Sequence, residues 1–215
     1  MYKLSPSTLN LFIDCPRCFW LQFNKGIKRP SGIFPSLPSG MDAILKKYFD
    51  KFMKEGKLPP ELKGLKVKLF DDEALLKEWR SNFKGIQYED KKGNILRGAV
   101  DNILVKGKKL IVLDYKTRGF PLKEDTHEHY IHQLNIYNFL LRKNDYDTED
   151  YAYLLFYYPK EVDKKGDVVF YTKLLKIPIN VKKAEKLFKD ALKCLEGKMP
   201  DVGKDCEYCG YKNNE

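Results

Sequence analysis

The chain has 215 residues, 43% of them hydrophobic and 13% aromatic, which suits a globular protein of one domain, or one domain with a small appendage, and a sizeable core. Lys and Arg number 40 against 30 Asp and Glu, a formal charge of +10 that favours a polyanionic partner, although lysine-rich surfaces of thermophilic proteins look similar. No apolar run reaches the length of a membrane span, and the start MYKLSPST lacks a signal peptide's apolar core, so a cytoplasmic protein with no membrane partner is expected.

In chain order, Ser5-Pro6-Ser7 reads as a capped helix start, and the helix should stop near Cys15-Pro16. Residues 26–40, rich in proline and glycine, read as a long irregular loop. Met41 to Glu55 has helical spacing, with Ile44, Leu45, Tyr48, Phe49 and Phe52 on one face. Leu65–Phe70 suits a short strand, and Asp71-Asp72-Glu73 opens a helix to about Phe83. Three antiparallel strands are expected at Lys84–Glu89, Leu96–Lys106 and Leu110–Lys116, joined by tight turns. Residues 123–143 have the pattern of a long helix. Tyr151–Tyr158 and Val168–Ile177 suit strands, and Val181–Leu195 a last helix.

The segment RGAVDNILVKGKKLIVLDYKT, residues 97–117, carries the most chemistry. Asp114 and Lys116 are two apart on an expected strand and so share a face, and a neighbouring strand can bring Asp101 beside them. Two carboxylates suit a hard divalent cation, and a lysine beside them can hold a water, which makes a minimal phosphodiester-cleaving site. The plain alternative is a solvated ion pair. The apolar runs Ile111-Val112-Leu113 and Ile103-Leu104-Val105 weigh against it, because a carboxylate on a strand covered on both faces needs a partner or a metal.

Cys15 and Cys18 form one Cys-x-x-Cys unit and Cys206 and Cys209 another, at opposite ends of the chain. In a cytosolic protein such pairs point to metal rather than disulfides, and four thiolates suit either a tetrahedral ion or a cubane cluster. Cys194 is left over and suits a core position. His127, His129 and His132 cluster before Gln133, but a third ligand for a zinc site there is not evident, and a polar helix start explains them.

With these motifs in hand, the chain resembles the RecB-type branch of the PD-(D/E)XK nuclease superfamily. The carriers are Gly98-Ala99-Val100-Asp101, Asp114-Tyr115-Lys116 and Gln133-Leu134-Asn135-Ile136-Tyr137, in the family's order, together with the amino-terminal SPSTLNLFIDCPRCFWLQF. The resemblance implies an α/β fold, with a restriction-endonuclease-like αβββαβ core whose mixed sheet is flanked by helices. It implies one nuclease domain over residues 1–215, with residues 1–25 and 195–215 forming a metal-stapled subregion. It also implies a DNA nuclease dependent on Mg²⁺ or Mn²⁺, acting on single- or double-stranded DNA in repair, recombination or CRISPR-type processing, alongside other DNA-processing proteins.

In that scheme Asp101 and Asp114 bind the ion with the Tyr115 carbonyl, Lys116 positions the attacking water, and Gln133 and Tyr137 flank the site. Related nucleases of the CRISPR-adaptation and AddB types carry a [4Fe-4S] cluster, so Cys15, Cys18, Cys206 and Cys209 are expected to hold one. Their two-and-two division departs from that pattern and keeps Zn²⁺ open. A second departure is Ile44, where many relatives have a metal-binding histidine four residues after a glycine; Asp42 on the same helix is the expected replacement. An inactive DNA-binding module and a metal-stapled interaction subunit are the alternatives to catalysis.

Overall fold

The computed structural model describes residues 1–32 and 34–211. Its elements in order are β1 (Lys3–Leu4), α1 (Pro6–Asp14), α2 (Pro16–Asn24), α3 (Ser36–Lys54), a 3-10 turn (Pro60–Leu62), β2 (Lys68–Leu69), α4 (Glu73–Trp79), β3 (Ile86–Glu89), β4 (Ile95–Gly98), β5 (Asn102–Lys106), β6 (Lys109–Thr117), α5 (Glu128–Lys143), β7 (Tyr151–Val162), β8 (Val168–Pro178), α6 (Val181–Glu196) and α7 (Glu207–Tyr211). Residues 212–215 of the expected terminal subregion lie outside the described residues.

The amino terminus forms as its residues dictate. Ser5 accepts the Thr8 N–H while the Thr8 hydroxyl accepts the Ser5 N–H, and Pro6 takes the first turn, where its missing donor is not needed. Pro16 ends α1, and the Cys15 sulfur then caps α2 by accepting the Cys18 N–H at 3.4 Å.

Two mixed sheets result. The larger has the order β2-β5-β6-β7-β8, with β6 and β7 parallel and its other pairs antiparallel; the smaller has the order β1-β4-β3, with β1 parallel to β4. Residues along β6 alternate between two cores. Val112 packs on one face with Leu154, Phe156, α5 and α6, while Ile111, Leu113 and Tyr115 pack on the other with Leu45 and Phe49 of α3. The sheet is therefore covered on both sides, and each fully buried aliphatic or aromatic side chain contributes about 1.5–3 kcal/mol.

Three expectations are corrected. Leu96–Lys106 is not one strand. The chain breaks at residues 99–101, and β4 and β5 enter different sheets. The break is held by tertiary bonds: the Val100 N–H donates to the Trp79 carbonyl, and Arg80 Nε donates to the Asp101 carbonyl at 2.7 Å. Asp101 thus precedes its strand instead of lying within it. The irregular loop is shorter than expected, because α3 begins at Ser36 and takes Pro38 into its first turn, where no helical N–H is required. Helix α5 begins at Glu128 rather than residue 123, after a turn over 124–127. No helix of the described residues is long and apolar enough to cross a membrane.

Candidate active site and cysteine centre

Asp114 and Lys116 share the α5 side of β6, as their spacing of two requires. Asp114 is 1% exposed, and its Oδ2 lies 2.5 Å from Lys116 Nζ. The Lys116 ammonium is thus the charged partner of a buried carboxylate oxygen. Burial pushes the Asp114 carboxyl up to about 7 even though Lys116 pulls it down. For Lys116, burial opposes the charge, but Asp114 and then Asp101 outweigh it and the ammonium is retained. Lys116 Nζ also lies over the Tyr130 ring, 4.9 Å from its centroid.

Asp101 reaches the same place from the strand break. Its Oδ2 accepts the Tyr115 N–H at 2.9 Å, and its Oδ1 lies 3.2 Å from Lys46 Nζ. Lys46 Nζ in turn donates to Asp42 Oδ2 at 2.8 Å, one turn back along α3. Asp42, Asp101, Lys116 and Tyr130 line a cleft of about 330 Å³. Ile44, by contrast, is 62% exposed. Burial raises the Asp42 carboxyl, against the pull of Lys46.

The Tyr115 side chain points to the opposite core, where its hydroxyl accepts from Asn102 Nδ2 at 2.7 Å and its ring packs on Phe49. Gln133 Nε2 donates to the Tyr137 hydroxyl at 2.7 Å, and the Tyr137 ring is buried against Gly98. Gln133 and Tyr137 also line a second cleft, beside Ser5 and Arg97. The structure therefore brings Asp42, Asp101 and Lys116 to the first cleft, with Asp114 buried behind Lys116 and Tyr137 buried nearby. His127 Nδ1 lies 3.0 Å from the Glu124 carbonyl, so this histidine belongs to the turn before α5.

The four cysteines meet although 188 to 194 residues separate their partners across the two pairs. Sulfur separations are 3.8 Å for Cys15–Cys209, 3.5 Å for Cys18–Cys206 and 3.3 Å for Cys18–Cys209, and no disulfide links them. All four sulfurs lie within 4.8 Å of one another, the one group of three or more Cys, His, Asp or Glu at such spacing among the described residues. This group can hold a metal ion. Cys194 is apart, with its sulfur near the Pro16 carbonyl. The Cys15 thiol is brought down to about 6: burial alone would raise it, but the N–H groups of Cys18 and Gly203 more than offset that. Burial raises Cys18 and Cys209.

Sequence reasoning missed four contributors. Lys46 stands four residues after Asp42 on a helix, so the spacing could have found it. Arg80 fixes the Asp101 backbone and pairs with Asp50 at 2.7 Å. Arg29 donates to Cys206 Sγ at 3.5 Å and lies over Tyr208. Gly203 passes so close that a Cβ there would meet the Cys15 backbone at 3.2 Å. The last three act through loop contacts that leave no periodic signal.

Comparison with known proteins gives a family model, the PD-(D/E)XK nuclease superfamily, that matches residues 3–214. None of the curated proteins matches the chain.

Proposed function

The chain belongs to the PD-(D/E)XK nuclease superfamily, whose members are typically metal-dependent nucleases, and on that footing we propose that it is a Mg²⁺- or Mn²⁺-dependent deoxyribonuclease of the RecB-type branch. The observation that carries the reading is the buried Asp114 carboxyl paired with Lys116 and close to Asp101, which lines the cleft. Two carboxylates brought together at a largely buried place repel one another unless a cation lies with them, so this donor set fits a hard divalent ion.

When bound, the ion supplies a Lewis acid for a phosphate oxygen and a water of lowered pKa. Asp101 and Asp114 would hold it, with the Tyr115 carbonyl as a further ligand; Asp42, the expected replacement for the histidine, lies in the cleft tied to Lys46. Lys116 keeps its proton, orients the attacking water and offsets charge growing on the phosphorane. Gln133 donates to the Tyr137 hydroxyl, and on this reading the pair flanks the site. The net charge of +10 favours DNA as the polyanion. Residues 1–215 are read as one nuclease domain working in the cytoplasm, in repair, recombination or CRISPR-type processing and with other DNA-processing proteins.

The cysteine centre is read as a structural staple joining residues 1–25 to 195–215. Of the two occupants expected from sequence, three sulfur separations of 3.3 to 3.8 Å, with all four sulfurs within 4.8 Å of one another, favour a single tetrahedral ion such as Zn²⁺. Zn–S bonds of about 2.3 Å in a tetrahedron give sulfur separations of about 3.8 Å. A [4Fe-4S] cubane puts each thiolate on a different iron and so spreads the sulfurs wider.

The test is incubation of the purified protein with end-labelled single- and double-stranded DNA in Mg²⁺, Mn²⁺ or EDTA. Metal-dependent cleavage is expected. DNA binding without cleavage under any metal would turn the reading to an inactive module, and neither binding nor cleavage would turn it to an interaction subunit.

A further inference from the structure

We infer that Lys46 is a built-in cation, filling the place between Asp42 and Asp101 where a second divalent ion would otherwise sit, so that the carboxylate cleft takes one ion per chain. The inference rests on the nuclease reading of Asp101 and Asp114. Lys46 Nζ touches Asp42 Oδ2 at 2.8 Å and Asp101 Oδ1 at 3.2 Å, bridging two carboxylates from separate elements as a metal would. An ordinary pair four apart on a helix lies along its own helix and has no need to reach a third group. This lysine is also well covered, with 23% of its side chain exposed.

Charge points the same way. With all five groups charged, Asp42, Asp101 and Asp114 stand against Lys46 and Lys116, which leaves one negative charge around the cleft. One divalent ion turns that to a single positive charge, matched to the single negative charge of a phosphodiester. A second would leave three positive charges in a largely buried place, a costly arrangement. Lys46 holds the place between Asp42 Oδ2 and Asp101 Oδ1, so a second ion there would have to displace it. Nor does α3 offer a replacement ligand at Ile44, which is mostly exposed. Asp42 is on this account the anchor of Lys46, a positioning residue rather than a ligand.

The experiment is a Mn²⁺ titration of the purified chain with its cysteine centre loaded, without DNA, followed by calorimetry and by electron paramagnetic resonance. The wild type should bind one Mn²⁺ in the cleft, and Asp114→Asn should lose it. Lys46→Met should bind a second ion, with the spin coupling of a close Mn²⁺ pair, and Lys46→Arg should remain at one. Two ions in the wild type, or a Lys46→Met protein with the same single ion at the same affinity, would overturn the inference and leave the nuclease reading standing. An Asp114→Asn protein that keeps the ion would overturn the nuclease site itself. Should Lys46→Met not fold, the wild-type count and Lys46→Arg still decide.

Discussion

The Tyr137 ring occupies the space a side chain at Gly98 would need: a Cβ built there would come within 2.8 Å of Tyr137 Cδ1 and Cε1 and 2.9 Å of Leu140 Cδ1. Gly98 ends β4, and the chain then turns to place Asp101 in the cleft. The glycine of the Gly-x-x-Asp motif thus acts through space, by letting α5 lie close against the strand that leads to Asp101. Its missing side chain and the Tyr137–Gln133 bond belong to one arrangement.

Gly98→Ala should therefore destabilise the protein by about 1–3 kcal/mol, the usual cost of overpacking a filled core. Urea denaturation measures it. The clash is with α5, so Gly98→Ala combined with Tyr137→Leu should recover part of the loss, whereas Ala at the exposed turn residue Gly119, where nothing lies within 4 Å, should cost far less.

In the metal-free protein the contribution of Asp114 to stability should fall as pH rises. Burial raises its folded-state carboxyl to about 7, above the ordinary 3.8. A raised folded value means the contribution is fully present below about pH 4 and is lost between about pH 4 and 7. The stability difference between wild type and Asp114→Asn, measured by urea denaturation in EDTA, should shift against the wild type across that window. A saturating divalent ion should remove the shift. A difference that is flat from pH 4 to 8 would show that the carboxyl is not buried as described.

Much of this was legible because local periodicity carries it. The shared face of Asp114 and Lys116 follows from a spacing of two, and the apolar runs of β5 and β6 announced a covered sheet. The cysteine pairs pointed to one centre by spacing alone. The break at residues 99–101 was not legible, because both halves have strand composition and the turn is imposed by Tyr137, Trp79 and Arg80 from elsewhere in the chain. The early start of α3 was hidden by Pro38 and Gly40, which read locally as loop but are tolerated in or near a first turn. Arg29 and Gly203 sit in segments whose role exists only after the chain ends meet.

Cys18→Ser and Cys206→Ser should each lose the bound metal and much of the thermal stability, and Cys194→Ser should keep both. A centre built from both chain ends fails when either is broken. Metal analysis after anaerobic purification identifies the occupant. About one zinc per chain in a colourless protein is expected; a brown protein with iron and sulfide would establish the cluster instead. Burial holds Cys18 and Cys209 as thiols, so loading should release protons and weaken as pH falls. Retention of metal by the Cys18 and Cys206 variants would show that these cysteines are ordinary core residues.

The most direct measurement is single-turnover cleavage of end-labelled DNA in Mn²⁺ by the wild type, Asp114→Asn and Lys116→Met, with DNA binding measured in parallel. Asp114 and Lys116 act on the metal and on charge developed during the reaction, so each loss should remove about 10²- to 10³-fold in rate while binding changes little. Variants that cleave as fast as the parent would contradict the assignment of the site to Asp114 and Lys116.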